Sequence, residues 1–166
     1  KNHICGDKIF STIYKKHSKD LHNFLYYKFG SHLNPQDKMQ EAFIKLWENC
    51  AKISQEKAKS FLFTTANNLM LNEFAHQKVV YKHRKIIPKQ STNINPEFIL
   101  QEKEYKVKLE RSIAGLTEAQ RVAFLMNRIE GKRFKEIAQL LDISTKAVEK
   151  RIYGALKKIR KDIENI

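Results

Sequence analysis

The most constraining feature of this chain is the segment from residue 134 to residue 159, FKEIAQLLDISTKAVEKRIYGALKKI. Apolar residues recur three or four positions apart on both sides of LDIS, which predicts a short amphipathic helix, a tight turn and a second amphipathic helix. Asp142 stands where the turn requires a left-handed backbone, and Ser144 can cap the second helix. The pattern is typical of a helix-turn-helix, whose second helix enters the DNA major groove.

A further helix is predicted just before this pair. Thr117 and Gln120 have the spacing of a capping box, and Gly131 is expected to end the helix. Its apolar stripe comprises Val122, Leu125, Met126 and Ile129. The three helices and a basic tail predict a small DNA-binding domain, although two ordinary core helices with solubilising lysines would show much of the same pattern.

Charge favours a polyanionic partner. The chain has 166 residues and a formal net charge of +14, which suits nucleic acid better than an acidic small molecule. No stretch approaches the roughly 18 apolar residues of a membrane-spanning helix, and the first residues lack the apolar core of a signal peptide. We therefore expect a soluble, cytoplasmic protein without membrane insertion.

The cysteines and histidines give no sign of a metal site. Cys5 and Cys50 are too few for a disulfide framework and lack a CxxC or Cys/His grouping, so no zinc site is expected. Cys50 ends an apolar helix face and is predicted to be an ordinary core thiol. His17 is predicted to be a core histidine. No cofactor and no metal are expected.

The chain divides into two helical blocks. Between residues 75 and 96 there is no acidic residue, and the segment contains several Lys and Arg residues as well as Pro, Ser, Thr and Asn, which break regular structure; this composition indicates a linker. It can be a solvated tether or a segment that tracks nucleic acid. We predict an all-α protein of two small helical domains, 1–78 and 104–166, joined by a flexible basic linker, 79–103.

The first block is predicted to contain four helices or fewer, and the sequence pattern places three of them. The first spans residues 7–29, and the third runs from about residue 58 to 77. Asn34 and Pro35 supply the N-cap and first-turn proline of the second helix. The buried stripe of that helix is expected to comprise Met39, Ala42, Phe43, Leu46, Trp47 and Cys50.

Three segments in this order resemble one protein family. They are NPQDKMQEAFIKLWENC, SFLFTTANNLMLNEFAHQK and LTEAQRVAFLMNRIEGKRFKEIAQLLDISTKAVEKRIYGALKKIRK. Together they are similar to the two conserved domains, regions 2 and 4, of the extracytoplasmic-function sigma factors of bacterial RNA polymerase, which belong to the sigma-70 family. The third segment alone also resembles the output helices of many response regulators. The resemblance to sigma factors therefore depends on finding the first segment together with a downstream helix-turn-helix.

The resemblance implies that the second helix docks on core RNA polymerase, on the clamp helices of the largest subunit. The flap of the second-largest subunit is a further implied partner. The predicted docking residues are Asp37, Gln40, Glu41, Lys45, Trp47 and Glu48. Their charges suit a basic partner helix, although an uninvolved solvated face would look similar.

The resemblance also implies that the first domain melts the −10 promoter element. Asn68 matches the family residue of a pocket for a flipped-out base, a role that suits an amide with both a donor and an acceptor. The other predicted −10 residues are Asn49, Ile53, Phe61 and Asn67. Phe61 stands where the family commonly has Trp, and the pair of asparagines can equally be a polar strip on a helix surface.

The second domain is expected to bind the −35 element. Lys146, Lys150 and Arg151 can donate to guanine, whereas Glu149 can accept from cytosine and repels phosphate. Glu149 departs from the family, which is often basic there. Arg133, Tyr153 and Lys157 are better placed for phosphate contacts, which position a protein without specifying sequence. All of these charges can also serve solubility.

These observations predict an alternative sigma factor that binds core RNA polymerase and promoter DNA. An anti-sigma factor or another recruiting protein is a further implied partner. The alternative is a helix-turn-helix regulator that acts without stable polymerase association. An enzyme such as a recombinase is disfavoured, because no carboxylate cluster or Gly-rich phosphate loop occurs in the sequence.

Overall fold

The computed structural model describes residues 4–83 and 98–164, and gives only the backbone of residues 78–83 and 98–103. The helices are α1 (Asp7–Phe29), α2 (Pro35–Glu48), α3 (Ala58–His83), α4 (Phe98–Ala114), α5 (Glu118–Arg128), α6 (Phe134–Leu141) and α7 (Thr145–Glu164). Short 3-10 turns at Ser31–Leu33 and Gln55–Lys57 precede α2 and α3. Within the described ranges there is no strand, so the all-α prediction is confirmed.

The contacts divide the chain into two compact units, residues 1–87 and 88–166, here called the N-terminal and C-terminal modules. Residues 84–97 lie outside the described part, as do the side chains of Lys78 and Lys82. The predicted contact of the basic linker with nucleic acid therefore falls outside the described residues. The backbone of α3 and α4 is helical at both ends of the predicted linker, through His83 and from Phe98.

In the N-terminal module, α1, α2 and α3 pack against one another. The predicted bounds of the first helix are confirmed, and the third continues to His83. Buried apolar side chains from all three helices and the adjoining segments form one core; they are Ile4, Ile13, Leu21, Leu25, Leu33, Met39, Ala42, Phe43, Leu46, Ala58, Leu62, Ala66 and Met70. The core thus holds the outer faces of α2 and α3 in fixed positions.

Two details of the predicted second helix were wrong. Trp47 was expected to be buried, but it is 42% exposed, and its ring meets the Phe10 ring edge-on at a centroid distance of 4.9 Å. Asn34 flanks the helix with a left-handed backbone, φ 49°, and its side chain makes no capping hydrogen bond. Asn tolerates this conformation, so Asn34 serves the turn, and Pro35 occupies the first turn as predicted.

The prediction of an ordinary core thiol at Cys50 was also wrong. Cys5 and Cys50 form a disulfide across a sequence separation of 45. Sequence spacing could not show this, because the pairing depends on the N-terminal segment folding back onto the end of α2. His17 is half-buried, and its pKa lies below its ordinary value, chiefly because of burial and then because of Lys16.

The C-terminal module begins with α4 and continues into the three predicted helices. The capping box is confirmed: Gln120 N–H donates to Thr117 Oγ1 at 3.2 Å, and Thr117 N–H donates to Gln120 Oε1 at 3.3 Å. Helix α5 ends at Arg128, and Gly131 follows with φ +66°. Ile129, predicted in the buried stripe, is 70% exposed, because it lies beyond the last turn of α5.

The helix-turn-helix geometry is confirmed by three local features. Asp142 has the left-handed backbone expected of it, with φ 56° and ψ 47°. Ser144 Oγ accepts from Ala147 N–H at 3.1 Å and so caps α7. Ile137, Val148 and Ile152 are each no more than 1% exposed. Helix α7 packs on α4, α5 and α6, so the rest of the module fixes its orientation.

One close approach joins α5 to α7. Gly154 lies in the middle of α7, and a Cβ atom placed there would be 2.8 Å from Gln120 Nε2. Gln120 is the capping-box residue of α5. A glycine inside a helix is unfavourable by roughly 0.5–1 kcal/mol relative to alanine, so its presence here is explained by the room that the Gln120 side chain needs.

None of the helices in the described ranges is both long enough and apolar enough to cross a membrane.

Candidate partner and nucleic-acid surfaces

The outer face of α2 carries a continuous exposed stripe, which we call the α2 stripe. Its members follow one another three, four, three and one positions apart and are Asp37, Gln40, Ile44, Trp47 and Glu48. Ile44 is 59% exposed and Trp47 is 42% exposed. Large aromatic side chains are enriched at the centres of protein interfaces and polar groups at their rims, so the stripe has the composition of a partner-binding surface.

Sequence reasoning missed Ile44. Its signal is its helical position, since it lies between Gln40 and Trp47 and opposite the buried residues of α2. The remaining predicted docking residues lie beside the stripe. Glu41 pairs with Lys38 at 3.6 Å, and Lys38 pairs with Glu73 of α3 at 3.5 Å. These pairs are partly exposed and contribute little to stability, but they leave Glu41 less available than Asp37.

The predicted −10 residues fall into two groups. Asn67 and Asn68 are consecutive on α3, with Asn67 half-buried and Asn68 exposed. Asn49 lies in the turn after α2, and its Nδ2 donates to the Lys45 carbonyl at 2.8 Å. Ile53 and Phe61 are partly buried against the module's core. The structure thus gives Asn49, Ile53 and Phe61 packing or capping contacts, while Asn68 is the most accessible amide.

Asn67 is held by a residue that sequence reasoning missed. Lys28 Nζ donates to Asn67 Oδ1 at 2.7 Å, and the same ammonium lies 5.7 Å from the centroid of the Phe24 ring and 5.3 Å from that of Phe29. The two cation–π contacts hold the ammonium in place, and its charge-assisted hydrogen bond fixes the amide. Its oxygen is engaged, so Asn67 offers its NH2 group as a donor, whereas the side chain of Asn68 forms no hydrogen bond within the described residues.

Replacing Lys28 by methionine should weaken binding to a fork-junction DNA probe with an unpaired −10 strand by about fivefold, because loss of one partly buried charge-assisted hydrogen bond is worth roughly 1 kcal/mol. Lys28→Arg should retain most of the affinity. The change should have no further effect in an Asn67→Ala background. Fluorescence titration of the four variants checks this, and additive losses would show that Lys28 does not act through Asn67.

Helix α7 presents a second exposed surface, which we call the α7 face. Its members share one side of the helix and are Lys146, Glu149, Lys150, Tyr153 and Lys157. The buried residues Val148, Ile152, Ala155 and Ile159 occupy the opposite side. Four of the five residues lie in the N-terminal half of the helix, and Lys157 extends the face toward its C-terminus. The whole face is exposed and can enter a DNA groove.

Arg151 is not on the α7 face. It is half-buried on the flank of the helix, next in sequence to the buried Ile152, because a residue five positions after Lys146 points well away from it on a helix. Its predicted role in base contact stays a prediction, and its position suits the edge of an interface better than its centre. Sequence spacing contained this information.

The start of α6 lies next to the α7 face. The Phe134 and Tyr153 rings meet edge-on at a centroid distance of 6.5 Å, and Arg133, just before Phe134, is exposed. Arg133 N–H donates to Glu136 Oε2 at 2.6 Å, which fixes the backbone there. Arg133 and Tyr153, both predicted to contact phosphate, are thus close together, because Phe134 follows Arg133 directly and contacts Tyr153.

Glu149 is the one acidic member of the α7 face, and it forms no ion pair within the described residues. Replacing it by glutamine should strengthen binding to a −35 duplex about fivefold at moderate salt, because a carboxylate facing phosphate is repelled and the amide is not. Competition titrations should also show weaker preference among bases at one position. Unchanged affinity and preference would place Glu149 outside the interface.

Comparison with protein families accounts for both modules. The model of sigma-70 region 2 matches residues 13–79, and the model of sigma-70 region 4 matches residues 106–159. These matches include the α2 stripe, both asparagines of α3 and the α7 face. The chain belongs to the sigma-70 family. It is therefore a sigma factor, a subunit that binds core RNA polymerase and promoter DNA and directs promoter-specific initiation, and a regulator acting without polymerase is not favoured.

Relatives agree with this assignment. The chain is 26% identical over 151 residues to the ferric citrate uptake sigma factor FecI of Escherichia coli (strain K12), with 89% of this chain and 87% of that protein covered. Among solved structures it is similar to the sigma factor RpoE in complex with the anti-sigma factor NepR from Bartonella quintana. The TM-score is 0.57 and the identity 18%, covering 95% of this chain and 98% of that chain. That likeness shows the fold alone.

Proposed function

We propose that the chain acts as an extracytoplasmic-function sigma factor whose two modules divide the work between polymerase docking with −10 melting and −35 binding. The observation that carries the proposal is the pair of exposed surfaces, the α2 stripe and the α7 face, each on a module that matches its sigma-70 region. Residues 79–103 would link the modules. The protein would act in the cytoplasm, where the polymerase is.

The α2 stripe is the proposed docking surface for the clamp helices of the polymerase. Asp37 and Glu48 supply negative charge at its two ends, and Ile44 and Trp47 supply apolar area between them. Charges at the rim steer association and set specificity, while a central aromatic supplies most of the affinity. The α2 stripe has both the rim charges and the aromatic side chain, and all of these residues are exposed on the N-terminal module.

Asn68 is proposed to read the extruded base of the −10 element. Extruding a base costs a few kcal/mol, and an accessible amide can offset part of this with a donor and an acceptor. Asn67, with its oxygen engaged by Lys28, would add a donor beside it. This arrangement supports recognition of a single strand, because an unpaired base exposes the edges that an amide contacts.

The chain is proposed to have no catalytic role of its own. Within the described residues, no group of three or more His, Cys, Asp or Glu side chains is placed to bind a metal ion, and the nucleotide chemistry would belong to the other polymerase subunits. By likeness to a sigma factor solved with an anti-sigma factor, a sequestering or recruiting protein is a further proposed partner.

The test is run-off transcription with core RNA polymerase on a promoter library. The wild type should confer promoter selection, and Asn68→Ala should reduce open-complex formation about tenfold, the effect of losing hydrogen bonds worth roughly 1.4 kcal/mol. Permanganate footprinting of the melted strand measures this.

Asn72→Ala is the matched control, because Asn72 is also an exposed asparagine of α3, one turn further along. It should leave melting unchanged. Equal losses in the two variants would remove the assignment of Asn68. Failure of the wild type to bind core polymerase would remove the proposed function altogether.

A further inference from the structure

The disulfide adjoins one of the predicted −10 residues in sequence and has no part in the proposed promoter contacts. Cys5 is exposed and Cys50 is half-buried, with their Cα atoms 5.0 Å apart. Cys50 directly follows Asn49, and Ile53, three residues later, packs on the core. The disulfide therefore ties the segment before α1 to the turn that carries two of the predicted −10 residues.

The tied segment, residues 4–6, is also held by contacts other than the disulfide. Ile4 is fully buried in the module's core, and its N–H donates to the Cys50 carbonyl at 3.4 Å. Gly6, at the N-cap of α1, provides no side-chain cap. The disulfide adds a covalent constraint to this packing and this hydrogen bond, and so helps to keep Ile4 in the core.

We infer that Cys5 and Cys50 form a reversible thiol–disulfide site, reactive toward low-molecular-weight disulfides such as oxidised glutathione, whose oxidation holds the turn after α2 in position for −10 DNA. The effect on DNA rests on the proposed function. Disulfides in proteins that work among reduced thiols are usually transient and serve catalysis or redox sensing. A partner of RNA polymerase works in that environment.

The exchange takes place in two steps. The exposed Cys5 thiolate attacks one sulfur of the small disulfide, forming a mixed disulfide and releasing one thiolate. The Cys50 thiolate then attacks Cys5 Sγ, which forms the intramolecular bond and releases the second thiolate. The two protons of the protein thiols pass to the two released thiolates. The protein loses two electrons and the small disulfide gains them.

Reduction reverses these steps and leaves Ile4 held only by packing and one long hydrogen bond. The segment is then free to leave the core, and the turn at residues 49–53 loses a neighbour. Since ordering a loop before binding improves affinity, the oxidised protein should melt promoters better than the reduced protein.

The experiment uses the full chain equilibrated in glutathione buffers of increasing oxidised fraction. Alkylation followed by mass spectrometry should show two blocked thiols in the reduced form and none in the oxidised form. Oxidation should raise the melting temperature of the N-terminal module by about 10 °C or more. With core polymerase, open-complex formation should rise about fivefold on oxidation.

Cys5→Ser is the control, because Cys5 is exposed and its replacement removes the disulfide without altering a buried side chain. This variant should behave like the reduced wild type at every glutathione ratio, which also corrects for redox effects on the polymerase. Failure to form the intramolecular bond, or formation of a linked dimer instead, would overturn the inference. So would a disulfide that forms but leaves open-complex formation unchanged.

Failure of the proposed function gives a different result. If no transcripts form in either redox state while alkylation and melting follow the glutathione ratio, the thiol–disulfide site is supported and its role at the promoter is overturned together with the proposed function.

Discussion

Replacing Trp47 by alanine should weaken binding to core RNA polymerase by about 30-fold, which corresponds to the roughly 2 kcal/mol of a typical interface hot spot. Trp47 lies at the apolar centre of the α2 stripe, 42% exposed, with its ring edge-on to Phe10. The Phe10 ring fixes the indole before binding, so little rotamer freedom is given up on docking. Fluorescence anisotropy with labelled protein and core polymerase measures the affinity.

Tyr26→Ala is the matched control for this prediction. Tyr26 is an exposed aromatic residue of α1, 46% accessible, and lies outside the α2 stripe. Its replacement should change the affinity less than about twofold, the range of ordinary surface substitutions. A similar loss in both variants would mean that exposed aromatic area in general, and not the α2 stripe, drives association. Thermal unfolding of each variant excludes loss of folding as the cause.

Removing the lysines of the α7 face should make DNA binding both weaker and less sensitive to salt. In the triple variant Lys146→Ala, Lys150→Ala, Lys157→Ala, the slope of log K against log salt should fall in magnitude by about 2.7, or about 0.9 for each phosphate that is no longer neutralised. Affinity at low salt should fall by about 100-fold or more, because released counterions dominate binding there. Titrations of a −35 duplex at several salt concentrations give both quantities.

The control is a variant that removes the same charge elsewhere. Lys15, Lys16 and Lys19 are exposed on α1 of the N-terminal module, and their replacement by alanine lowers the net charge equally. The slope should then stay near that of the wild type. If only sequence preference changes in the α7-face variant, the lysines contact bases and not phosphates. If the two triple variants bind equally weakly, net charge alone accounts for binding.

Local sequence signals predicted the C-terminal module well because each acts over a few residues. The capping box of Thr117 and Gln120, the Ser144 cap and the left-handed Asp142 are all set by neighbours within three or four positions, and the structure confirms them. The apolar period of α7 likewise identified the side that packs inward. The same period places Arg151 on a different side of α7 from Lys146, Lys150 and Lys157. A prediction based only on the number of basic residues overlooked this difference.

Features that depend on distant parts of the chain could not be predicted in this way. Lys28 meets Asn67 across 39 positions, and Cys5 meets Cys50 across 45. Trp47 fits the apolar stripe of α2, but its exposure depends on where α1 leaves the helix uncovered. The helical position of Ile44 sets it opposite the buried residues of α2, but its exposure likewise depends on how α1 and α3 pack against that helix.

The glycine at position 154 has a practical consequence for anyone who wishes to retarget this factor to new promoters. Exchanging side chains at 146, 149, 150 and 153 leaves the helix backbone where it is, but any larger residue at 154 would push Gln120 away from the Thr117 N–H that it accepts from. That bond is part of the capping box that begins α5, the helix on which α7 packs. Libraries that randomise the α7 face should therefore keep Gly154 constant.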